Sequence, residues 1–223
     1  MNFNIEQFLK LIENVHKPDL FNPYTDKCET YDHSDNTSHI FRLMNLKAYL
    51  KLLNEGRFTS ILVGEAPGHL GCRKTGLAFT DEKNLNLVSK ILKIPLDYST
   101  ITMDTREPSA NYVWGILKKV ENPPFLWNII PFHPFNFPNQ LTNRTPNESD
   151  YQTSKEVIEY FFKNTTFERY FAVGKVAEKY LKKMGFNPQY IRHPSFGGSN
   201  KFIRAMEENF IIKKQENKLK QFI

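Results

Sequence analysis

Hydrophobic and polar positions follow two distinct periods along this chain, one typical of helices and one of short buried strands. Apolar residues recur at helical spacing over residues 3–15, 39–53, 84–94, 110–120, 149–164, 175–184 and 200–209. Short apolar runs that suit buried strands occupy residues 61–63, 125–130, 169–173 and 189–192. Strands that alternate with helices indicate a parallel sheet covered by helices. We therefore predict an α/β fold, with three α/β/α layers around a central, mainly parallel sheet of four strands.

The length and the order of these elements predict a single domain. A chain of 223 residues has enough volume for one full core. Within residues 1–223 we expect a helical N-terminal extension over 1–57, a core over 58–205, and a C-terminal helix and tail over 206–223.

Polar segments and helix-start signals refine this outline. The segments 16–37 and 133–146 are rich in Pro, Asn and Asp or Gln, so both are predicted to be loops, the first on the surface. Ser149 and Gln152, three residues apart, predict a capping box for the helix that begins there.

Composition narrows the class of protein. Hydrophobic residues make up 40% of the chain and charged residues 24%, which is ordinary for a globular protein. No apolar run approaches the ~18 residues of a membrane-spanning helix, and the N-terminus does not resemble a signal peptide. Cys28 and Cys72 are the only cysteines, which suits the reducing cytoplasm. The net charge of +6 favours a polyanionic partner, because Lys and Arg neutralise phosphates.

Three segments with chemically useful residues belong to predicted strands. Gly64–Gly68 (GEAPG) directly follows the first strand, Asn128 lies in the second, and His193–Ser195 follows the fourth. The carboxyl ends of parallel strands share one edge of the sheet, where open α/β proteins bind ligands. An asparagine, a histidine and a turn of backbone amides can bind and polarise a small polar heterocycle, with Phe79 as an aromatic plate.

Each segment also has an ordinary structural interpretation. Gly64–Gly68 lacks the Gly-Lys-Ser/Thr of a phosphate-binding loop and fits a plain strand–helix connection. His193 before a proline fits a strand-end cap, Asn128 a paired core amide, and Phe79 a core aromatic. Their occurrence together favours the functional interpretation.

The same segments carry a family resemblance. GEAPG at 64–68 and TGLAF at 75–79 resemble the first motif of the uracil-DNA glycosylase superfamily, in its GEAPG-bearing branch. LWNIIPF at 126–132 resembles the central strand with the uracil-reading asparagine, and NRTPNE at 143–148 resembles an element downstream of it. HPS at 193–195 resembles the final motif, whose histidine serves catalysis. All the matches lie in the predicted core and follow the family's order.

The resemblance implies a monofunctional DNA glycosylase that extrudes uracil, hydrolyses its N-glycosidic bond and leaves an abasic site. The catalytic residues would be His193 at uracil O2, Asn128 at N3–H and O4, and Glu65 as a tether of the loop or a group acting on water. Further contacts with the base are assigned to Gly64, Ala66, Pro67, Gly68, Phe79 and Ser195. DNA contacts are assigned to Arg73, Lys74, Arg144, Phe196 and Lys201, with Arg192 as a further candidate for phosphate. We expect a cytoplasmic monomer that needs no metal or cofactor and has no membrane partner.

The sequence departs from the family's pattern at four places. Cys28 and Cys72 cannot supply the four cysteines of the branch's iron–sulfur cluster, so we expect no cluster. Ala66 stands where other branches carry a water-activating Asp or Asn. Ala78 replaces the proline of a Gly-x-Pro-Phe element, and the continuation after Ser195 differs, so no DNA-wedging loop is transferred.

Two other functions remain open at this stage. One is a glycosylase for another base, such as hypoxanthine or a modified pyrimidine, since the sequence does not give the pocket's shape. The other is a non-catalytic nucleic-acid-binding module on the same fold, which Ala66 permits and the pair Asn128 and His193 opposes.

Overall fold

A computed structural model describes residues 3–195 and 197–212. In these ranges the helices are α1 (Ile5–Glu13), α2 (Ser38–Asn54), α3 (Cys72–Thr75), α4 (Glu82–Leu92), α5 (Pro108–Leu117), α6 (Glu148–Asn164), α7 (Lys175–Lys183) and α8 (Ser199–Glu207). A π-helical turn, Glu208–Ile212, follows α8. The strands are β1 (Leu20–Phe21), β2 (Ser60–Gly64), β3 (Phe125–Asn128), β4 (His133–Pro134), β5 (Arg169–Val173) and β6 (Gln189–Ile191).

The central sheet is parallel and has the strand order β3-β2-β5-β6. Gly64 at the end of β2 stands opposite Asn128 at the end of β3, so these two carboxyl ends are level. On the other side of β2, Val63 pairs with Ala172 of β5. Helices flank the sheet, and the predicted α/β fold with four parallel strands is confirmed.

An aromatic cluster fixes the position of β3. Every residue of β3 is buried, as expected of a parallel strand covered on both faces. Phe125 and Trp127, which point to the same face, stack on Phe161 of α6 with centroids 5.8 and 4.8 Å apart. Phe8 of α1 packs against Trp127 at 5.8 Å. This packing holds the strand that ends in Asn128.

The segment 16–37 is not the surface loop predicted from its polarity. It contains β1, which pairs antiparallel with β4, a strand within the second predicted loop. The Tyr24 hydroxyl is buried and donates to the Gly76 carbonyl at 2.9 Å. Asp32 forms a buried bidentate pair with Arg42 of α2, at 2.8 and 3.1 Å. These polar groups have partners inside the protein, so polarity here does not mean exposure.

The capping box of α6 lies two residues before the predicted one. The Asn147 side chain accepts from the backbone N–H of Asp150 at 3.0 Å, and the Asp150 carboxylate accepts from the Asn147 N–H at 2.9 Å. Asp150 is fixed in this place because its buried carboxylate also binds Arg144. Ser149 and Gln152 therefore lie inside the helix.

Candidate active site

Three of the predicted site residues meet at the carboxyl end of β2. A Cβ atom on Gly64 would stand 2.5 Å from Cζ of Phe79 and 2.6 Å from Oδ1 of Asn128. Both separations are shorter than real Cβ contacts, so only glycine leaves room here for the ring and the amide. The structure thus brings Gly64, Phe79 and Asn128 together from three separate parts of the chain.

Phe79 is held in an unusual backbone conformation. Its φ is +53°, in the left-handed region that bulky residues rarely adopt. The Trp114 indole N–H donates to the Phe79 carbonyl at 3.0 Å and keeps the backbone in this state. Strained residues that their surroundings hold in place cluster at functional sites. The conformation therefore supports a specific role for the ring beside Gly64.

Asn128 is a buried residue whose side-chain amide is unpaired. The residue is 5% exposed, and its side chain makes no hydrogen bond with any residue that the structure describes. Its amide atoms are not among the fully buried unpaired atoms of the described residues, so the small exposed part of Asn128 includes the amide. Side-chain amides of buried residues are normally paired inside the protein. A structural asparagine would have its partners inside the protein. Asn128 instead has the features of an amide that awaits a ligand.

His193 has one ring nitrogen occupied and one available. The backbone N–H of Ser195 donates to Nδ1 of His193 at 3.2 Å. A neutral imidazole whose Nδ1 accepts carries its proton on Nε2, so Nε2–H is the donor available to a ligand. Burial, and then the nearby Arg192 cation, lower the pKa of His193, which favours this neutral form. The predicted site residues His193 and Ser195 are thus joined by a hydrogen bond that orients the His193 ring.

Glu65, which directly follows Gly64 in the chain, carries a half-buried carboxylate. Burial raises its pKa above the ordinary value of 4.5. Its side chain has no hydrogen bond or ion pair with the described part of the chain, whereas its backbone carbonyl accepts from Ile130 at 3.0 Å. A half-buried carboxylate without a partner, whose pKa is shifted upward, is suited to accept a proton.

The two sides of the site are separated by the width of the sheet. Asn128 ends β3 and His193 follows β6, the two outer strands of the order β3-β2-β5-β6. With neighbouring strands about 4.8 Å apart, the outer backbones lie ~14 Å from each other. A planar ring, with one side chain reaching it from each side, fits such a gap. Within the described residues, His193 makes no hydrogen bond or ring contact with Asn128 or Phe79.

The segment after β2 is tied to two other loops. The buried His133 ring donates through Nδ1 to the Pro67 carbonyl at 2.8 Å, and burial lowers the pKa of His133 to about 4. The side chain of Asn143 accepts from the His69 N–H at 3.0 Å. From the other side, the Thr105 hydroxyl lies 3.2 Å from the Leu70 carbonyl, while its single proton goes to the nearer Glu82 carboxylate at 2.6 Å. Pro67–Leu70 is therefore held rigidly in place.

The segment after β2 packs against the core and against Glu107, a residue that the sequence analysis did not single out. Ala66 is partly buried against the core. A Cβ on Gly68 would stand 3.0 Å from Oε1 of Glu107, and one on Gly71 would overlap the same carboxylate. Glu107 was missed because nothing in its local sequence, at the start of α5, indicates this long-range contact.

The expected phosphate contacts of Arg73 and Lys74 are wrong, because both cations are buried. Arg73 is 2% exposed and lies over the Phe21 ring at 4.1 Å. Lys74 is 1% exposed and donates to the Thr102 hydroxyl at 2.9 Å. Burial, despite the attraction of Glu82, lowers the pKa of Lys74. Neither side chain can reach DNA without unfolding its surroundings.

Arg144 is likewise committed inside the protein. Its guanidinium binds Asp150 at 2.5 and 2.9 Å and Asp19 at 2.7 Å, and the side chain is 15% exposed. The predicted contact of Arg144 with DNA is therefore corrected to a structural ion pair. By contrast, Lys201 and Arg192 are exposed and have no ion-pair partner in the described ranges. Phe196 lies outside the described residues.

The described residues offer neither a cluster of metal ligands nor a helix that could span a membrane. They contain no group of three or more His, Cys, Asp or Glu side chains placed to hold a metal ion. The helices given above include none with the length and apolar character to cross a membrane. A groove of about 520 Å³ between α6 and α7, lined by Tyr151, Phe162 and Lys183 among others, shares no residue with the candidate site.

The fold has relatives among solved structures. No protein-family model matches the sequence, and no curated protein does. The crystal structure of wild-type Pedobacter heparinus SMUG2 resembles this structure with a TM-score of 0.62. The alignment has 17% sequence identity and covers 96% of this chain and 98% of that one. This likeness shows that the two chains share a fold.

Proposed function

We propose that the protein is a DNA glycosylase that extrudes uracil and hydrolyses its N-glycosidic bond, leaving an abasic site. The observation that carries this proposal is the unpaired side-chain amide of Asn128, a residue otherwise buried, beside the Phe79 ring at Gly64. The structural neighbour SMUG2 belongs to the uracil-DNA glycosylase superfamily, which agrees with the motif resemblance. We place the chain beside the GEAPG-bearing branch of that superfamily, without its iron–sulfur cysteines.

Recognition of uracil follows from the chemistry of a fixed amide. Oδ1 of Asn128 accepts from uracil N3–H, and its NH₂ group donates to O4. Cytosine presents an acceptor at N3 and an amino group at the neighbouring position, so both pairings become repulsive. A site built around such groups rejects a mismatched analogue strongly, because its buried polar atoms would stay unpaired. Phe79 stacks on the extruded ring.

Bond cleavage needs stabilisation of the departing base. The C1′–N1 bond breaks, its electron pair leaves with uracil, and positive charge develops on the sugar. The Nε2–H of neutral His193 donates to O2, where the negative charge accumulates, and preorganised donors of this kind contribute strongly to rate. The lowered pKa of His193 supports this neutral donor.

Glu65 is the proton acceptor in this scheme, because Ala66, at the position of the water-activating Asp or Asn of other branches, has no group that can accept a proton. As water attacks C1′, its proton passes to the ionised Glu65 carboxylate, and the uracil anion is then protonated from solvent. The half-buried position of Glu65 and its lack of a partner in the described chain support this role.

Release of the free base tests the proposal directly. Oligonucleotides with one uracil, one hypoxanthine or one modified pyrimidine are incubated with the protein, and free bases are measured by mass spectrometry. We expect free uracil and a strand that stays intact until alkali is added, as for a monofunctional enzyme. Release of hypoxanthine or the modified pyrimidine in place of uracil would assign that base as the substrate. Binding without release of any base would favour a non-catalytic nucleic-acid-binding module.

A further inference from the structure

An exposed aromatic residue stands on a turn whose two ends adjoin residues that contact the segment after Gly64. Phe137 is 70% exposed, at the tip of a turn that we call the Phe137 turn (residues 135–142). Five large hydrophobic side chains of the described chain are strongly exposed, namely Ile40, Met44, Ile101, Met103 and Phe137. An exposed aromatic at the edge of a binding site is a candidate contact with the ligand.

The Phe137 turn is presented rigidly. The Asn139 N–H donates to the Asn136 carbonyl at 2.9 Å, and the Asn136 N–H donates to the Thr142 hydroxyl at 2.9 Å. At the base of the turn, Phe135 and Leu141 pack with Phe21 and Cys28 in a small apolar cluster. The stem is thus anchored in the protein while the tip faces solvent.

This turn is also coupled to the site. It begins one residue after β4, whose His133 binds the Pro67 carbonyl, and it ends one residue before Asn143, which binds the His69 N–H. Both ends are therefore joined to the segment that follows Gly64. The turn lies in the connection from β3 to α6, after Asn128 and β4 along the chain.

The surroundings of Phe137 suit nucleic acid. Residues 122–147 contain no Asp or Glu, so no carboxylate of this stretch repels phosphate. The turn offers Asn and Gln side chains around an apolar tip. Proteins that unstack DNA insert apolar side chains such as Phe and Pro between base steps.

We propose that Phe137 enters the base stack of duplex DNA and fills the space left by the extruded nucleotide. This inference rests on the proposed glycosylase function. Extrusion loses base pairing and stacking, and a ring in the vacated position restores stacking and opposes return of the base. Insertion also removes from water an aromatic side chain that is otherwise exposed.

Comparison of single- and double-stranded substrates tests whether Phe137 acts as a wedge, that is, whether it inserts into the base stack of duplex DNA. Single-turnover excision of uracil is measured on both for the wild type, Phe137→Ala, Phe137→Leu and the control Ile40→Ala, which removes an exposed apolar side chain of α2. Phe137→Ala should slow excision from duplex DNA about tenfold or more and leave single-stranded excision unchanged, because only the duplex must be unstacked. Phe137→Leu should keep most of the duplex rate, and Ile40→Ala all of it.

Several outcomes would overturn the wedge and separate it from the proposed function. Equal effects of Phe137→Ala on both substrates, or none on either, would refute the wedge while excision by the wild type stands. Dissociation of a dimer by Phe137→Ala, with duplex excision intact, would assign the residue to self-association. Failure of the wild type on both substrates would instead refute the glycosylase function, and failure on single-stranded DNA alone would refute the wedge's premise that both forms are substrates.

A fluorescence measurement tests the wedge without catalysis. 2-Aminopurine next to an abasic-site analogue in duplex DNA brightens when its stacking is disrupted. The wild type and Ile40→Ala should raise this fluorescence and Phe137→Ala should not. An equal rise with Phe137→Ala would contradict the proposal even if no base is ever released.

Discussion

At the scale of single residues, the candidate site consists of polar groups held without ordinary partners. The Asn128 amide and the Glu65 carboxylate have none among the described residues, and His193 uses only one ring nitrogen. Polar groups without internal partners add nothing to the stability of the fold, so their retention is explained by a ligand more simply than by folding. The raised pKa of Glu65 and the lowered pKa of His193 arise from the same burial.

Glu65 gives a prediction about pH. A raised pKa means that Glu65 binds its proton over a wider acidic range than a free carboxyl, and only the ionised form accepts a proton from water. The single-turnover excision rate should therefore rise with pH through a pKa above 4.5. Glu65→Gln should remove this acid limb and lower the plateau by about 10²-fold. The surface variant Glu55→Gln serves as the matched control.

Thermal unfolding supplies an independent check on the same residue. Because the folded pKa of Glu65 is raised, the stability that its protonated form contributes is present at low pH and is lost as pH rises through that pKa. Glu65→Gln should then unfold at a higher temperature than the wild type at pH 7. A variant that is less stable and keeps the acid limb would contradict the assigned role.

At the scale of elements, the segment that resembles NRTPNE has a structural task. Arg144 links Asp150, at the start of α6, with Asp19, which precedes β1. Lys17 also binds Asp150, at 2.7 Å. Burial alone would raise the pKa of Asp150, but the hydrogen bonds from Arg144 and Lys17 outweigh it and lower that pKa to about 2. Since Asn143 binds His69, the network steadies the loop beside the site.

This network predicts an effect on stability rather than on DNA binding. Arg144→Ala leaves the buried Asp150 carboxylate with Lys17 as its remaining cation and should cost about 3 kcal/mol of unfolding free energy at pH 7. The difference should shrink as pH falls towards 2, where Asp150 becomes protonated. Denaturant unfolding of Arg144→Ala and of the exposed control Arg192→Ala measures it. If Arg144→Ala were as stable as the wild type but bound DNA more weakly, Arg144 would contact DNA phosphate after all.

The sequence predicts the four strands of the central sheet and most helices well, because their apolar patterns agree with the buried faces, but it does not predict β1 and β4, which lie in polar segments. β2 and β3 were located from continuous apolar runs, and the positions of Asn128 and His193 follow from parallel topology. Burial of Arg73 and Lys74 was not predictable, since their partners come from distant segments such as the one around Thr102. A local pattern shows that a residue is charged but not whether another part of the chain neutralises it.

At the scale of the whole molecule, the net charge of +6 suits a polyanionic ligand, although several of its cations are buried. Arg192 adjoins His193, and Lys201 lies on α8. Both are exposed and unpaired within the described ranges, so they are free to bind phosphate.

Salt dependence measures these contacts. Arg192→Ala and Lys201→Ala should each weaken DNA binding uniformly across sequences and reduce the slope of log K against log salt by about 1, since one phosphate contact is lost. Titrations from ~50 to ~200 mM salt, followed by fluorescence polarisation, resolve this change. Arg204→Ala, an exposed cation paired with Glu208, is the control. An unchanged slope in both variants would place the DNA path elsewhere.

The central claim is that Asn128, at the end of one outer strand, and His193, after the other outer strand, act together on one extruded uracil. The most direct measurement is strand cleavage by alkali of an end-labelled oligonucleotide with a single uracil, after incubation with the wild type, Asn128→Ala or His193→Ala. We predict cleavage with the wild type and a loss of about 10²-fold or more in rate with each variant, while both stay folded and bind DNA. Full activity in either folded variant would contradict the claim.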